Sequence, residues 1–266
     1  MVIFSDLDGT LLDHDTYDWQ PAASALEVLQ QRDIPVVLVS SKTLAEIVVY
    51  RRDMALPHPV VVENGAGIHV PDGYFATTLQ TSFKSIDRSD LQKAYTEMRG
   101  DQQIDCIAFY ELGDAGIAEV TGLSIQQARQ ANTRQASEPI LWRDSEQRLS
   151  IFAANAAARG LRCVRGGRFV HLMGPIDKAI ATARLLDAYR QKWPGATIRS
   201  VALGDGPNDL DMLRAADVAV VIKGRHGQPM PLGDHPRVLR PELPGPAGWN
   251  EAIRMVLGRS QYNTSS

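Results

Sequence analysis

The sequence predicts an α/β protein: a doubly wound, mainly parallel sheet with helices on both faces, interrupted by an inserted α+β domain. Three observations carry this expectation. Short β-branched runs alternate with stretches of helical spacing at both ends of the chain. Those runs are almost continuously apolar, as strands covered on both faces of a parallel sheet must be. In the middle of the chain the alternation lapses.

Taken in order, Val2–Ser5 is the first strand. Ala22–Asp33 follows with Ala25, Leu26 and Leu29 on one helical face, then strand Val36–Ser40, helix Leu44–Met54 and strand Val60–Glu63. From about residue 83 to 172 the strand candidates Cys106–Glu111, Pro139–Trp142, Leu161–Val164 and Phe169–Leu172 are mixed with helical Asp90–Met98 and Glu146–Ala158. The first pattern then resumes with helix Asp177–Trp193, strand Ser200–Leu203, helix Asn208–Ala215 and strand Val218–Ile222. The core is therefore expected to comprise residues 1–82 and 173–266, with 83–172 inserted. Gly224–Gly248 holds five Gly and six Pro in 25 residues. No regular element tolerates that density, so it reads as a long surface loop with a short strand at Val238–Leu239. Gly248-Trp249 opens a last helix to Leu257, and Ser260–Ser266 is a polar tail. A Rossmann-like core of this kind binds ligands outside the carboxyl ends of its strands.

Composition narrows the function classes. The 266 residues are 44% hydrophobic and 22% charged, with 28 Lys and Arg against 31 Asp and Glu, a formal charge of -3. A near-neutral balance argues against a nucleic-acid partner, whose phosphates call for a concentrated basic excess. No apolar run approaches the roughly 18–20 residues of a membrane span. Val2 enters a strand with no basic region and no cleavage site before it, so a secretory leader is not expected. Two cysteines, Cys106 and Cys163, build neither a disulfide framework nor a thiolate zinc site, and the six His lack metal-ligand spacing. The expected location is the cytoplasm. The sequence does not specify an oligomeric state.

Four clusters fall at strand ends or helix starts. Asp6-Leu7-Asp8-Gly9-Thr10 follows the first strand; residues two apart on an extended chain share a face, so Asp6 and Asp8 can meet one ligand. Paired carboxylates repel unless a cation or proton lies between them, and hard oxygens suit Mg²⁺. Ser40-Ser41-Lys42-Thr43 puts hydroxyls and free N–H groups at a helix start, a phosphate-binding arrangement. Lys178, at the start of the long helix, opposes the helix dipole and invites an anionic partner such as a phosphoryl group. Gly204-Asp205-Gly206-Pro207-Asn208-Asp209 sets carboxylates directly after an apolar strand, where a bare charge costs several kcal/mol. Each alone also reads as a turn, a helix cap or a solvated lysine. All four at the ligand-binding edge of one sheet favour a shared site.

In this order the motifs resemble those of the haloacid dehalogenase superfamily, and the insertion between the second and third resembles its type II cap. Within that superfamily, Phe4–Asp13, Ser40-Ser41-Lys42-Thr43, Glu63-Asn64-Gly65-Ala66 and Gly166-Gly167-Arg168-Phe169 are similar to the mannosyl-3-phosphoglycerate phosphatases. One departure is Ala179, where relatives often have Gly. The resemblance implies that Asp6 is a nucleophile forming an aspartyl-phosphate and Asp8 a general acid and then base. It implies Mg²⁺ held by Asp6, the Asp8 backbone carbonyl and Asp205, with Asp209 close by. Ser40 and Lys178 would bind phosphoryl oxygens, Thr10, Ser41 and Lys42 would complete the phosphate and substrate site, and Asn208 would contact the phosphate or orient Lys178.

Residues 129–172 carry eight Arg, no Lys and three acids. Arg dominance suits a planar, bidentate carboxylate or phosphate ligand. Arg168 is the expected grip on a glycerate carboxylate, with Arg165 and His171 behind it. The expected substrate is a small phosphorylated sugar-glycerate. Glucosyl-3-phosphoglycerate, sucrose phosphate or a broad range of sugar phosphates would use the same chemistry. A sugar phosphomutase or a non-catalytic sugar-phosphate binding module are the readings from other classes.

Overall fold

Two sheets carry the fold in the computed structural model, which describes residues 1–76, 86–102, 104–166, 168–224 and 230–260. The first part of the chain supplies β1 (Val2–Ser5), α1 (Ala23–Gln31), β2 (Val36–Val39), α2 (Leu44–Asp53), β3 (Val60–Val62) and β4 (Gly67–His69). The middle supplies α3 (Arg88–Gln102), β5 (Cys106–Ala108), α4 (Phe109–Thr121), α5 (Ile125–Asn132), β6 (Ser137–Trp142), α6 (Glu146–Ala158), β7 (Arg162–Gly166) and β8 (Phe169–Met173). The last part supplies α7 (Lys178–Lys192), β9 (Ser200–Gly204), α8 (Leu210–Ala215), β10 (Val218–Val221), β11 (Val238–Leu239) and α9 (Gly245–Ser260).

The larger sheet runs in the order β11-β10-β9-β1-β2-β3-β4, parallel throughout except for β4, which turns back antiparallel on β3. Its central strands are buried along their whole length, which explains their unbroken apolar runs. Ile3 points to the face covered by Leu29 of α1 and Trp249 of α9. Val2 and Phe4 point to the other face, against Leu185 and Tyr189 of α7 and Met212 of α8. Each such large side chain, fully buried, stabilises the fold by about 1.5–3 kcal/mol. The chain reverses strand order at β1, with β9 on one side and β2 on the other, so a crevice opens at the carboxyl ends of these three strands.

The smaller sheet, β5-β6-β8-β7, is antiparallel. Period-two alternation along β8 sends Val170 and Leu172 toward α3 and α6, where they pack with Leu91, Tyr95, Met98 and Phe152. Phe169 and His171 lie on the opposite side and line a cavity facing the larger sheet.

Several expected boundaries shift. The run Cys106–Glu111 divides after Ala108, because the Glu111 carboxylate takes the Ala108 N–H at 2.9 Å and starts α4 there. That helix is broken at Gly113 and closes on left-handed Gly122. Glu63 leaves the strand for a 3-10 turn, and a second such turn, Pro207–Asp209, precedes α8. The last helix begins at Gly245, three residues ahead of expectation, and so shortens the loop; β11 occupies the two residues expected of it. The expected junction at residues 82 and 83, loop residues 225–229 and tail residues 261–266 lie outside the described residues.

Candidate active site

Asp6 follows β1 directly and is pinned from behind. Ser5 Oγ accepts the Trp249 indole N–H at 2.9 Å and donates to the Asp6 carbonyl oxygen at 2.8 Å, with Ser5 and Trp249 fully buried. The chain then turns tightly, Gly9 and Leu12 closing it through a backbone hydrogen bond of 2.9 Å. Gly9 has φ +80°, and a Cβ there would lie 2.5 Å from Asp205 Oδ2, so only glycine lets the turn abut β9's loop. Thr10 Oγ1 donates to Asp205 Oδ1 at 3.0 Å, joining the two loops.

Lys178 is brought in by α7. The Asp177 side chain caps this helix on the Ile180 N–H at 2.9 Å and is held by Arg162 of β7 at 2.7 Å. Gly65, at φ +104°, lets the turn after β3 press on the Asp177 backbone, where a Cβ would collide. Lys178 is 1% exposed, and its Nζ reaches Asp6 Oδ1 at 2.5 Å and Asp209 Oδ1 at 2.6 Å. The partner that this helix-start lysine invites is thus a pair of carboxylates. Asp209 Oδ2 accepts the N–H groups of Asp205 (3.1 Å) and Gly206 (3.0 Å), fixing the third carboxylate.

Three carboxylates here face one ammonium. Burial raises the Asp6 carboxyl well above its ordinary range, aided by Asp209 and only partly opposed by Lys178. Burial and Asp209 push Asp205 up to about 7. Burial alone would lower Lys178, but Asp209 and Asp6 outweigh it and keep the ammonium charged. Asp6, Asp205 and Asp209 each offer a carboxylate oxygen, all within 4.8 Å of one another. An all-oxygen, net-negative set of this kind could hold a hard divalent cation such as Mg²⁺.

Asp8 lies beside this cluster, with a second lysine. Lys42 Nζ is 3.0 Å from Asp8 Oδ1 and 3.8 Å from Glu46, with the Tyr17 ring centroid 5.0 Å away. The Asp8–Lys42 approach lacks hydrogen-bond alignment, so it is an electrostatic contact. Lys42 is held above its ordinary range although burial works the other way, because Asp8 and Glu46 face it.

The remaining expected residues divide. Ser41, Lys42, Asn208 and Arg168 line the cavity together with Asp6, Asp8 and Asp205. Ser40 is buried, its hydroxyl accepting the Lys42 N–H at 3.1 Å, and Thr10 is buried with its hydroxyl on Asp205; neither side chain lines the cavity. Asn208 Nδ2 donates to Asn64 Oδ1 at 3.4 Å. The expectation for Arg168 and Arg165 changes. Arg168 donates to the carbonyl oxygens of Val120 (3.5 Å) and Thr121 (3.1 Å) at the end of α4, where a cation finds free helix carbonyls. Arg165, on the edge strand β7, pairs at 2.6 Å with Glu146 at the start of α6, on the helix-covered face of the inserted sheet and away from the cavity. His171 does line the cavity, 3% exposed; burial, Arg134 and Lys178 lower it to about 3.

Two residues without an expected role prove central. Glu63 is buried and in left-handed backbone; its carboxylate accepts the Gln135 and Ala136 N–H groups (3.0 and 3.2 Å) and the Ser137 hydroxyl (2.6 Å), joining the two sheets. Arg134 also spans them, donating to the Ser41 carbonyl oxygen and Ser137 Oγ, both at 3.0 Å. The motif around Glu63 was visible; its partners lie more than 70 residues away along the chain.

This edge, faced by a second sheet, belongs to a recognisable class of α/β hydrolytic folds. The chain belongs to the haloacid dehalogenase-like hydrolase family, which matches it over residues 3–156, more than half its length. Solved structures share the fold across nearly the whole chain. Thermoplasma acidophilum 0175 aligns with TM-score 0.70 at 16% identity, over 96% of both chains. The HAD subclass IIB sugar phosphatase BT4131 aligns with TM-score 0.68 at 17% identity, over 96% of this chain and 98% of that one. BT1666 from Bacteroides thetaiotaomicron, one of the HAD superfamily phosphatases, gives 0.65 at 19% identity, over 96% and 94%. Among the described residues no helix is long and apolar enough to cross a membrane.

Proposed function

We propose that this protein is a Mg²⁺-dependent phosphomonoester hydrolase acting through an aspartyl-phosphate on Asp6, with mannosyl-3-phosphoglycerate as its substrate and mannosylglycerate as its product. The observation that carries the reaction is the buried Lys178 bridging Asp6 and Asp209, with Asp205 within reach. A carboxylate fixed from behind and paired with an ammonium on its flank is a preorganised nucleophile. An Asp6 oxygen attacks phosphorus as the bond from phosphorus to the sugar-glycerate oxygen breaks, and Asp8 gives that oxygen its proton. Water then attacks the phosphorus of the acyl phosphate, Asp8 takes its proton, and inorganic phosphate leaves. Lys178, with Ser40, Ser41, Lys42, Thr10 and Asn208 shaping the surrounding loops, offsets charge on the phosphoryl oxygens.

Asp6, Asp205 and the Asp8 backbone would hold Mg²⁺, with Asp209 orienting the set through its bonds to the Asp205 and Gly206 N–H groups. The cation would neutralise charge between nucleophile and phosphate. Residues 83–172 serve as a cap over this edge, and the choice of a sugar phosphate follows the subclass of the BT4131 neighbour and the Arg-rich insertion. The test is phosphate release with Mg²⁺ from mannosyl-3-phosphoglycerate, glucosyl-3-phosphoglycerate, sucrose 6-phosphate, mannose 6-phosphate and p-nitrophenyl phosphate. A strong preference for the first, abolished by chelation, is expected. Comparable rates on all five would contradict the substrate.

A further inference from the structure

Of the eight arginines between residues 129 and 172, two line the cavity, Arg134 and Arg168. Arg129, Arg148, Arg162 and Arg165 lie within ion-pair distance of carboxylates, and Arg168 is engaged by helix carbonyls. Arg134 differs from all of these. No carboxylate lies within ion-pair distance of it among the described residues. Its Nη1 is anchored from both sheets, on Ser41 and Ser137, and its guanidinium carbon sits 5.8 Å from the Phe109 ring centroid. Its Nε is buried with no acceptor among the described residues. His171, which lines the same cavity, has in its Nδ1 a second such atom. Buried polar atoms are ordinarily satisfied, so two of them on side chains that line one cavity point to a group these side chains adjust to meet.

We propose that Arg134, with His171 beside it, receives a carboxylate carried by the leaving group of the substrate, so that the site selects dianionic-plus-anionic molecules: a phosphoryl group at the sheet edge and a carboxylate at the facing wall. The assignment rests on the phosphatase reading and moves the anion grip from Arg168 to Arg134. A guanidinium held by hydrogen bonds on one nitrogen and by an aromatic face keeps its remaining N–H groups aimed and loses little freedom on binding. Its positive charge meets the Glu63 carboxylate only through the shared Ser137 hydroxyl, whereas the sheet edge balances Lys178 directly with carboxylates. A neutral imidazole beside it adds a hydrogen-bonding atom without adding charge.

The tether to Ser41 leaves direct phosphoryl contact as the competing arrangement, and one comparison separates the two. The kcat/KM for mannosyl-3-phosphoglycerate is divided by that for its carboxylate methyl ester, in the wild type, Arg134→Gln and Arg168→Gln. The wild-type ratio is expected to exceed about tenfold, the worth of one charge-assisted hydrogen bond. Arg134→Gln should bring the ratio close to one, mainly through KM, while Arg168→Gln keeps it. Equal losses on acid and ester in Arg134→Gln, or a collapsed ratio in Arg168→Gln alone, would overturn the assignment. Should Arg134→Gln fail to fold, the wild type still decides: D-glycerate should inhibit p-nitrophenyl phosphate hydrolysis and glycerol should not, and equal inhibition would refute the carboxylate site. No phosphate release from any of these esters would instead fell the phosphatase reading itself.

Discussion

The sheet edge and the wall facing it handle charge in opposite ways. At the edge, charge is shared internally: Lys178 is divided between Asp6 and Asp209, and Asp209 also holds two backbone N–H groups. On the wall, Arg134 is fixed in place yet has an Nε without an acceptor among the described residues and no carboxylate in direct contact. Cross-committed groups hold one another at the geometry a reaction needs, whereas a fixed but uncommitted group recognises what arrives. In the proposed function, chemistry falls to the edge and selection to the wall.

The comparison breaks most readily at Lys178. Replacing it with Ala removes the ammonium between two buried carboxylates, which should cost about 3–5 kcal/mol of stability together with nearly all turnover. Urea unfolding beside phosphate-release assays checks both, and a loss below about 1 kcal/mol would mean that the carboxylates are not held through Lys178.

Glu63 tests the seam between the regions. Glu63→Ala leaves the Gln135 and Ala136 N–H groups without their acceptor and should cost about 2–3 kcal/mol in the same unfolding experiment. An unchanged midpoint would show that Glu63 does not hold the sheets together.

The pH dependence of the edge is a smaller effect with a definite sign. Asp205 is pushed up to about 7, and Asp6 shifts the same way. The unfolded chain releases these protons near pH 4, so the folded state binds more protons between those values. Stability from these groups is present at low pH and is lost as pH rises through about 7. A cation replaces the missing protons, so Mg²⁺ should raise Tm more at pH 8 than at pH 5. Equal shifts at both would contradict the metal site. Least of all, Arg165→Gln on the edge strand β7 should change stability by less than about 1 kcal/mol, because its pair with Glu146 is largely solvated.

The larger sheet was legible because strands buried on both faces leave unbroken runs such as Val36–Val39, and the acidic cluster at its edge was legible because Asp6, Asp8 and Asp205 stand next to those runs. The inserted sheet was harder to read. Cys106–Glu111 carries the strand-favouring Ile107, Phe109 and Tyr110, yet the Glu111 carboxylate caps the Ala108 N–H and its second half is helix. The helix α4 is masked by Gly113 and Gly116 within it, α5 by a mostly polar run whose one large apolar residue is Ile125, and β4 by being only three residues long. Arg168, prominent between glycine and Phe169, drew attention that the helix carbonyls at Val120 and Thr121 take up. Arg134 had no local mark beyond belonging to an Arg-rich stretch, since what sets it apart is the Ser41 carbonyl, 93 residues away along the chain.

The central claim is that Asp6 becomes phosphorylated. Wild-type protein mixed with Mg²⁺ and mannosyl-3-phosphoglycerate, quenched in acid within a turnover and digested, should yield the peptide containing Asp6 with one added phosphoryl group. The same peptide from Asp6→Asn should stay unmodified, with phosphate release lowered at least about 10³-fold. Wild-type turnover with no phosphorylated Asp6 peptide, or full turnover by Asp6→Asn, would contradict the account.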